Sequence, residues 1–132
     1  MDRLRGGLIA FIGHALSDSV QYGSAWWSWV VASGVACFGA GLVYPKLKVE
    51  EGIFGVRDIL LFNGYQIVAN AIAWILVAPI LDIVIYAEPV NLVFTQGITA
   101  TLLNAISAGV IGTLLLFAYS KTRAKKGSLT KE

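Results

Sequence analysis

Of 132 residues, 57% are hydrophobic and only 14% are charged, with a mean hydropathy of +0.72. A soluble domain carries about 25% charge, so this balance excludes an ordinary soluble globule and places the chain among integral membrane proteins. A net charge of +2 leaves no electrostatic footprint for nucleic acid, and the single cysteine, Cys37, excludes an internal disulfide or a cysteine-rich metal site.

The N-terminal stretch carries Arg3 and Arg5 ahead of a short apolar run, Leu8 to Leu16. That pattern resembles a secretory signal peptide. His14 and Asp18 argue against it, and Gly23-Ser24-Ala25 makes a poor cleavage site. Read as a helix over 4–17, the segment covers about 21 Å at 1.5 Å per residue and is expected as a partial span. His14, Asp18 and Gln21 follow helical spacing and share a face. They fit an interfacial pair capping a helix end, or an intramembrane functional group. Trp27 and Trp29 are expected as boundary anchors, and Trp26, nearest the polar turn, as a stacking surface.

Uncharged runs predict three full spans, over 25–44, 58–81 and 93–120, within one membrane domain that covers residues 1–132. The fold class is therefore all-α, a polytopic helical bundle of about four helices. Asn63, Gln66, Asn70 and Trp74 line one side of the second full span. Asn63 suits a helix–helix hydrogen bond, whereas Asn70 beside Trp74 would grip the edge and face of a flat heteroaromatic ring. The connector 82–92 alternates apolar and polar residues and reads as a short ordered lid, with Tyr86 and Asn91 closing over a ligand and Asp82 and Glu88 solvated. On the last span Gln96, Asn104 and Ser107 form a facing polar stripe, for which amide pairing between helices is the rival account. Gly97, Thr101, Ala105, Gly109 and Thr113 form a small-residue stripe, as do Ala32, Ala36 and Ala40, suited to close helix packing or to docking a partner.

Positive residues set the topology. The 45–57 loop holds Lys46, Lys48 and Arg57, and the basic tail 121–132 holds Lys121, Arg123, Lys125, Lys126 and Lys131, whereas 82–92 has neither Lys nor Arg. The positive-inside rule puts both termini in the cytoplasm and 82–92 outside. No catalytic constellation surrounds His14, the only histidine, and no phosphate-binding Gly-rich loop occurs. The chain is not expected to be an enzyme or to carry a cofactor, and any ATP hydrolysis falls to other subunits.

Several of these segments together resemble one family. They are Phe-Ile-Gly-His-Ala-Leu-Ser-Asp at 11–18, Tyr-Gly-Ser-Ala-Trp-Trp-Ser-Trp at 22–29 and Gly-Ile-Phe-Gly-Val-Arg-Asp at 52–58. Ala-Asn-Ala-Ile-Ala-Trp at 69–74, the run from Ala78 to Asn91 and Phe-Thr-Gln-Gly at 94–97 complete the set. They are similar to the substrate-binding S components of bacterial energy-coupling factor (ECF) transporters, of riboflavin or hydroxymethylpyrimidine type. The resemblance implies a six-helix subunit in the bacterial cell membrane that captures a vitamin or its precursor. It also implies partners: a transmembrane coupling protein and two cytoplasmic ATPases. Against that pattern the chain corresponds to the last four helices, with 4–17 the remnant of the third, so an N-terminally truncated S component is expected. Within the quoted segments and the polar stripes, His14, Asp18, Trp26, Asn70, Trp74, Tyr86, Asn91, Gln96 and Asn104 are the expected substrate-binding residues. Two other functions compete: a small multidrug-type exporter, which needs a membrane-embedded carboxylate, and a structural subunit or non-functional fragment.

Overall fold

A computed structural model describes residues 3–123, and the tail lysines Lys125, Lys126 and Lys131 lie outside the described residues. The helices are α1 (Arg3–Tyr22), α2 (Trp27–Gly41), α3 (Val56–Ala71), α4 (Ala78–Tyr86) and α5 (Val90–Thr122). A π-helical segment, Ile72–Val77, joins α3 to α4, so Val56–Tyr86 forms one 31-residue rod. Among the described residues, three helical stretches are long and apolar enough to cross a membrane: Trp27–Lys46, Val56–Tyr86 and Val90–Thr122. Apolar positions on α5 such as Leu102, Ile106, Val110 and Leu114 are exposed, which suits a bilayer and not water.

α1 is longer than the partial span expected over 4–17. The hydropathy pattern ends at Leu16, but the helix continues because its next polar side chains bond within it. Ser19 Oγ donates to Ala15 O (2.7 Å) and Gln21 Nε2 to Ser17 Oγ (2.6 Å). Gly23, at φ +82, then ends the helix in the left-handed region. At 20 residues α1 is about 30 Å long.

The π segment has a local cause. Pro79 lacks the N–H that a helix would direct back to the preceding turn, so the hydrogen-bond ladder widens there. α5 packs against this joint through Gly97, where any Cβ would run into the Trp74 carbonyl oxygen. The small-residue stripe on α5 therefore packs within the chain. Gly97 meets the π segment, Ala105 O accepts from Gln66 Nε2 (3.0 Å), and Thr113 Oγ1 accepts from Asn63 Nδ2 (3.0 Å). Ala32 and Ala36 of the second stripe bury with Ala73, Trp74, Ala78 and Ala100 in the central apolar cluster.

A second cluster, Val43, Leu47, Val49 and Phe54, closes the end of the bundle where α2 passes into α3. There Asp58, 3% exposed, accepts from the backbone N–H groups of Lys48 (3.1 Å) and Gly55 (3.3 Å) and so caps α3. Nearby, Glu50 accepts from the Tyr44 hydroxyl, the Tyr119 hydroxyl (3.1 Å) and Arg123 Nε (2.6 Å), which latches this loop to the end of α5.

The connector after Asp82 is not a lid. α4 runs on to Tyr86, and only Ala87, Glu88 and Pro89 separate it from α5, with Ala87 at φ 53. The alternation at Ile83-Val84-Ile85-Tyr86 looks extended, but β-branched residues are tolerated in a helix whose exposed faces are apolar.

Candidate functional site

At the opposite end of the bundle from the Glu50 latch, α1 and α4 end while α2 and α5 begin. A cavity of about 700 Å³ opens between these four ends. α1 supplies His14, Asp18 and Tyr22, the start of α2 supplies Trp26 and Trp29, and the α4 end supplies Asp82 and Glu88. α5 closes the wall with Thr95, Gln96, Thr99, Ala100 and Leu103. Among the described residues the lining holds three carboxylates and no Lys or Arg.

The first turn of α2 explains why these ends converge. Its N-terminal backbone N–H groups have no local side-chain cap and are satisfied from other helices instead. Trp26 N donates to Asp18 Oδ2 of α1 (3.0 Å), and Trp27 N donates to the Tyr86 hydroxyl of α4 (3.1 Å). His14 Nε2 lies 3.4 Å from Asp18 Oδ1, while its Nδ1 bonds the Ser33 hydroxyl on α2. Asp82 accepts from Trp26 Nε1 (2.8 Å), Trp29 Nε1 (2.9 Å) and the Ser28 hydroxyl. The Trp26 ring stacks on Tyr86 with centroids 4.3 Å apart.

The expected site residues divide into groups. His14, Asp18, Trp26 and Gln96 line this cavity. Tyr86 does not close over it; it backs the Trp26 ring from behind. Asn91 sits exposed on the first turn of α5 and lines neither this cavity nor the deeper one. Asn70, Trp74 and Asn104 border the deeper void, of about 250 Å³, together with Ser33, Cys37 and Gln66.

The amides at that depth are largely engaged by the protein. Trp74 Nε1 donates to Asn70 Oδ1 (2.9 Å), and Asn70 Nδ2 donates to Gln66 O (2.9 Å) and Gln66 Oε1 (3.0 Å). Asn104 Nδ2 turns back to Ala100 O (2.9 Å) on its own helix. Among the described residues no buried side-chain nitrogen or oxygen lacks a partner, and no three His, Cys, Asp or Glu side chains gather to hold a metal ion.

Sequence reasoning missed Asp82 and misread Trp29. Asp82 is only 2% exposed, a turn inside α4, and not solvated in a loop. Trp29 is no boundary anchor, since its ring packs on Trp74 at 5.3 Å and its N–H faces Asp82. The exposed Trp27 alone keeps an anchor's position. A buried carboxylate is thus present in the bundle, which removes the objection that uncharged spans raise to the exporter alternative. Three protein donors, the Trp26 and Trp29 indoles and the Ser28 hydroxyl, already engage that carboxylate.

Comparison with known proteins gives a consistent family. Residues 2–121 match the family described as ECF-type riboflavin transporter, S component. A UPF0397 protein of Lactobacillus acidophilus is 58% identical over 96% of this chain and 69% of its own length. Those of Lactobacillus helveticus and an Exiguobacterium species are 60% and 53% identical, over 96% and 98% of this chain and 69% and 70% of their own lengths. No solved structure matches the chain.

Proposed function

The chain belongs to the ECF-type riboflavin transporter S-component family, substrate-binding membrane subunits, and we propose that it captures a vitamin or vitamin precursor built on a flat heteroaromatic ring. The 700 Å³ cavity carries this reading. Its volume falls within the range of small-molecule sites, and indole faces beside a few convergent polar groups suit a planar ring with hydrogen-bonding edges. Trp26 and Trp29 supply the faces, and His14, Asp18, Gln96, Thr95 and Thr99 the polar contacts. Asn70, Trp74 and Asn104, around the deeper void, form the floor beneath them.

The distribution of Lys and Arg orients the cavity towards the outside of the bacterial cell membrane, with both termini in the cytoplasm. Delivery then requires a transmembrane coupling protein and two ATPases, which supply the energy this chain has no motif to extract. Three carboxylates without a Lys or Arg favour an uncharged ring over its phosphate ester. At an effective dielectric of about 20, each unit anion 5 Å from a carboxylate is repelled by about 3 kcal/mol.

Equilibrium binding of riboflavin, hydroxymethylpyrimidine and their phosphate esters to the detergent-purified protein tests this. A parent compound should bind and its ester should bind at least tenfold more weakly. Tighter binding of an ester, or no binding by any of the four, overturns the proposal.

A further inference from the structure

The Asp82 carboxylate is buried, has no Lys or Arg partner among the described residues, and is met by three neutral donors from the start of α2 and its capping residue. A buried charge held only by neutral donors is a costly arrangement, and helix pairing in a membrane can be achieved by cheaper means. What it achieves here is specific. The indole N–H groups of both tryptophans in the cavity wall end on one side chain, Trp26 on Oδ1 and Trp29 on Oδ2. Trp26 is further fixed by its backbone bond to Asp18 and by Tyr86 behind its ring.

We infer that Asp82 is the positioning residue of the cavity: it sets the angle of the two indole walls and so tunes ligand affinity through them. This rests on the reading of the cavity as the substrate site. The chemistry requires a carboxylate. An indole nitrogen only donates, and a serine hydroxyl already engaged as donor adds a third demand, which two carboxylate oxygens can meet. An asparagine offers one oxygen, and its amino group would face an indole N–H, so at least one tryptophan must swing away.

The test uses the full chain in detergent micelles with ¹⁵N-labelled indoles and riboflavin and hydroxymethylpyrimidine as probes. Asp82→Asn should move the indole N–H signals of Trp26 and Trp29 and leave that of Trp27 unchanged. It should weaken binding of the probe about tenfold, the scale of one buried hydrogen bond to a charged group. Trp29→Phe, which keeps an aromatic wall but removes the donor, should cost a similar factor in the native background and little more in Asp82→Asn, because both remove the same tie. A purely structural Asp82 predicts multiplying losses or unchanged affinity, and either overturns the inference. So do unmoved indole signals. Should Asp82→Asn fail to fold, Trp26→Phe at a partly exposed position carries the test. It must shift the Trp29 indole signal through the shared carboxylate, and an unmoved signal refutes the tie. If neither probe binds the native protein, the substrate reading fails and the inference with it; moved indole signals would then identify Asp82 as a tie between helices only.

Discussion

Replacing Gly97 by alanine tests the packing that places α5 against the cavity. A Cβ at Gly97 would collide with the Trp74 carbonyl oxygen and come within 3.2 Å of Pro79 Cγ. The first obstacle is backbone and cannot rotate away, so α5 and the π segment must separate. Overpacking of this kind costs about 1–3 kcal/mol. At roughly 4 °C per kcal/mol for a chain of this length, the Tm in detergent should fall by about 4–12 °C. Gly64→Ala is the matched control, since nothing lies within 4 Å of its Cβ position and alanine favours helix by up to about 1 kcal/mol. Tryptophan fluorescence during thermal unfolding reads both variants. Gln96, next to Gly97, lines the cavity, so Gly97→Ala should also weaken ligand binding whereas Gly64→Ala should not. Equal Tm values for the two variants would refute the close approach of α5 to the π joint.

Asn70→Ala should destabilise the folded protein by about 1–3 kcal/mol, seen as lower yield and Tm, because it leaves the Trp74 N–H buried without its acceptor; Gln96→Ala should instead weaken ligand binding with Tm unchanged, and the two effects are separable by measuring both quantities on each variant. Glu50→Gln should loosen the loop that joins α2 to α3, read as faster amide exchange over 47–55. The pH dependence of that latch has a defined sign. The Tyr44 hydroxyl is the largest influence on the Glu50 carboxyl; burial, second in size, opposes it, and Arg123 and Tyr119 add to it, so the carboxyl is held below its ordinary value of 4.5. Its contribution is therefore present above that value and lost as pH falls through the lower folded one. The protein should lose Tm in that acid window, and Glu50→Gln should lose less.

Much of the fold was legible because a bilayer imposes a length. The uncharged runs beginning near 25, 58 and 93 became helices since buried backbone in lipid must bond to itself. The boundaries were harder. Hydropathy lost α1 at Leu16 because Ser17, Ser19 and Gln21 are polar, although their side chains bond within the helix. It also ended the second span before Asp82, for a charge reads as an interface. Here the charge is buried instead, supplied with donors by tryptophans 53 to 56 residues away, and no local pattern encodes that. The π joint follows from Pro79, but a proline alone does not distinguish a kink from a widened turn.

The candidate site shows a more general limit. Asn63, Gln66, Asn70 and Trp74 share a helix face, and that spacing drew attention to Asn70 and Trp74 as a grip for a ligand. The same spacing puts each within reach of the next, so the amides bond one another and the adjoining α5 backbone before any ligand arrives. A polar stripe within one helix therefore tends to satisfy itself. The groups that face the cavity are instead contributed one or two at a time by different elements, His14 from α1, Trp26 at the start of α2, Glu88 from the α4–α5 connector and Gln96 from α5. Those residues are scattered in sequence, and each alone has an ordinary structural explanation. What unites them is the first turn of α2, whose unsatisfied N–H groups draw in Asp18 from α1 and Tyr86 from α4. The cavity forms where the backbone of one helix is completed by side chains of its neighbours.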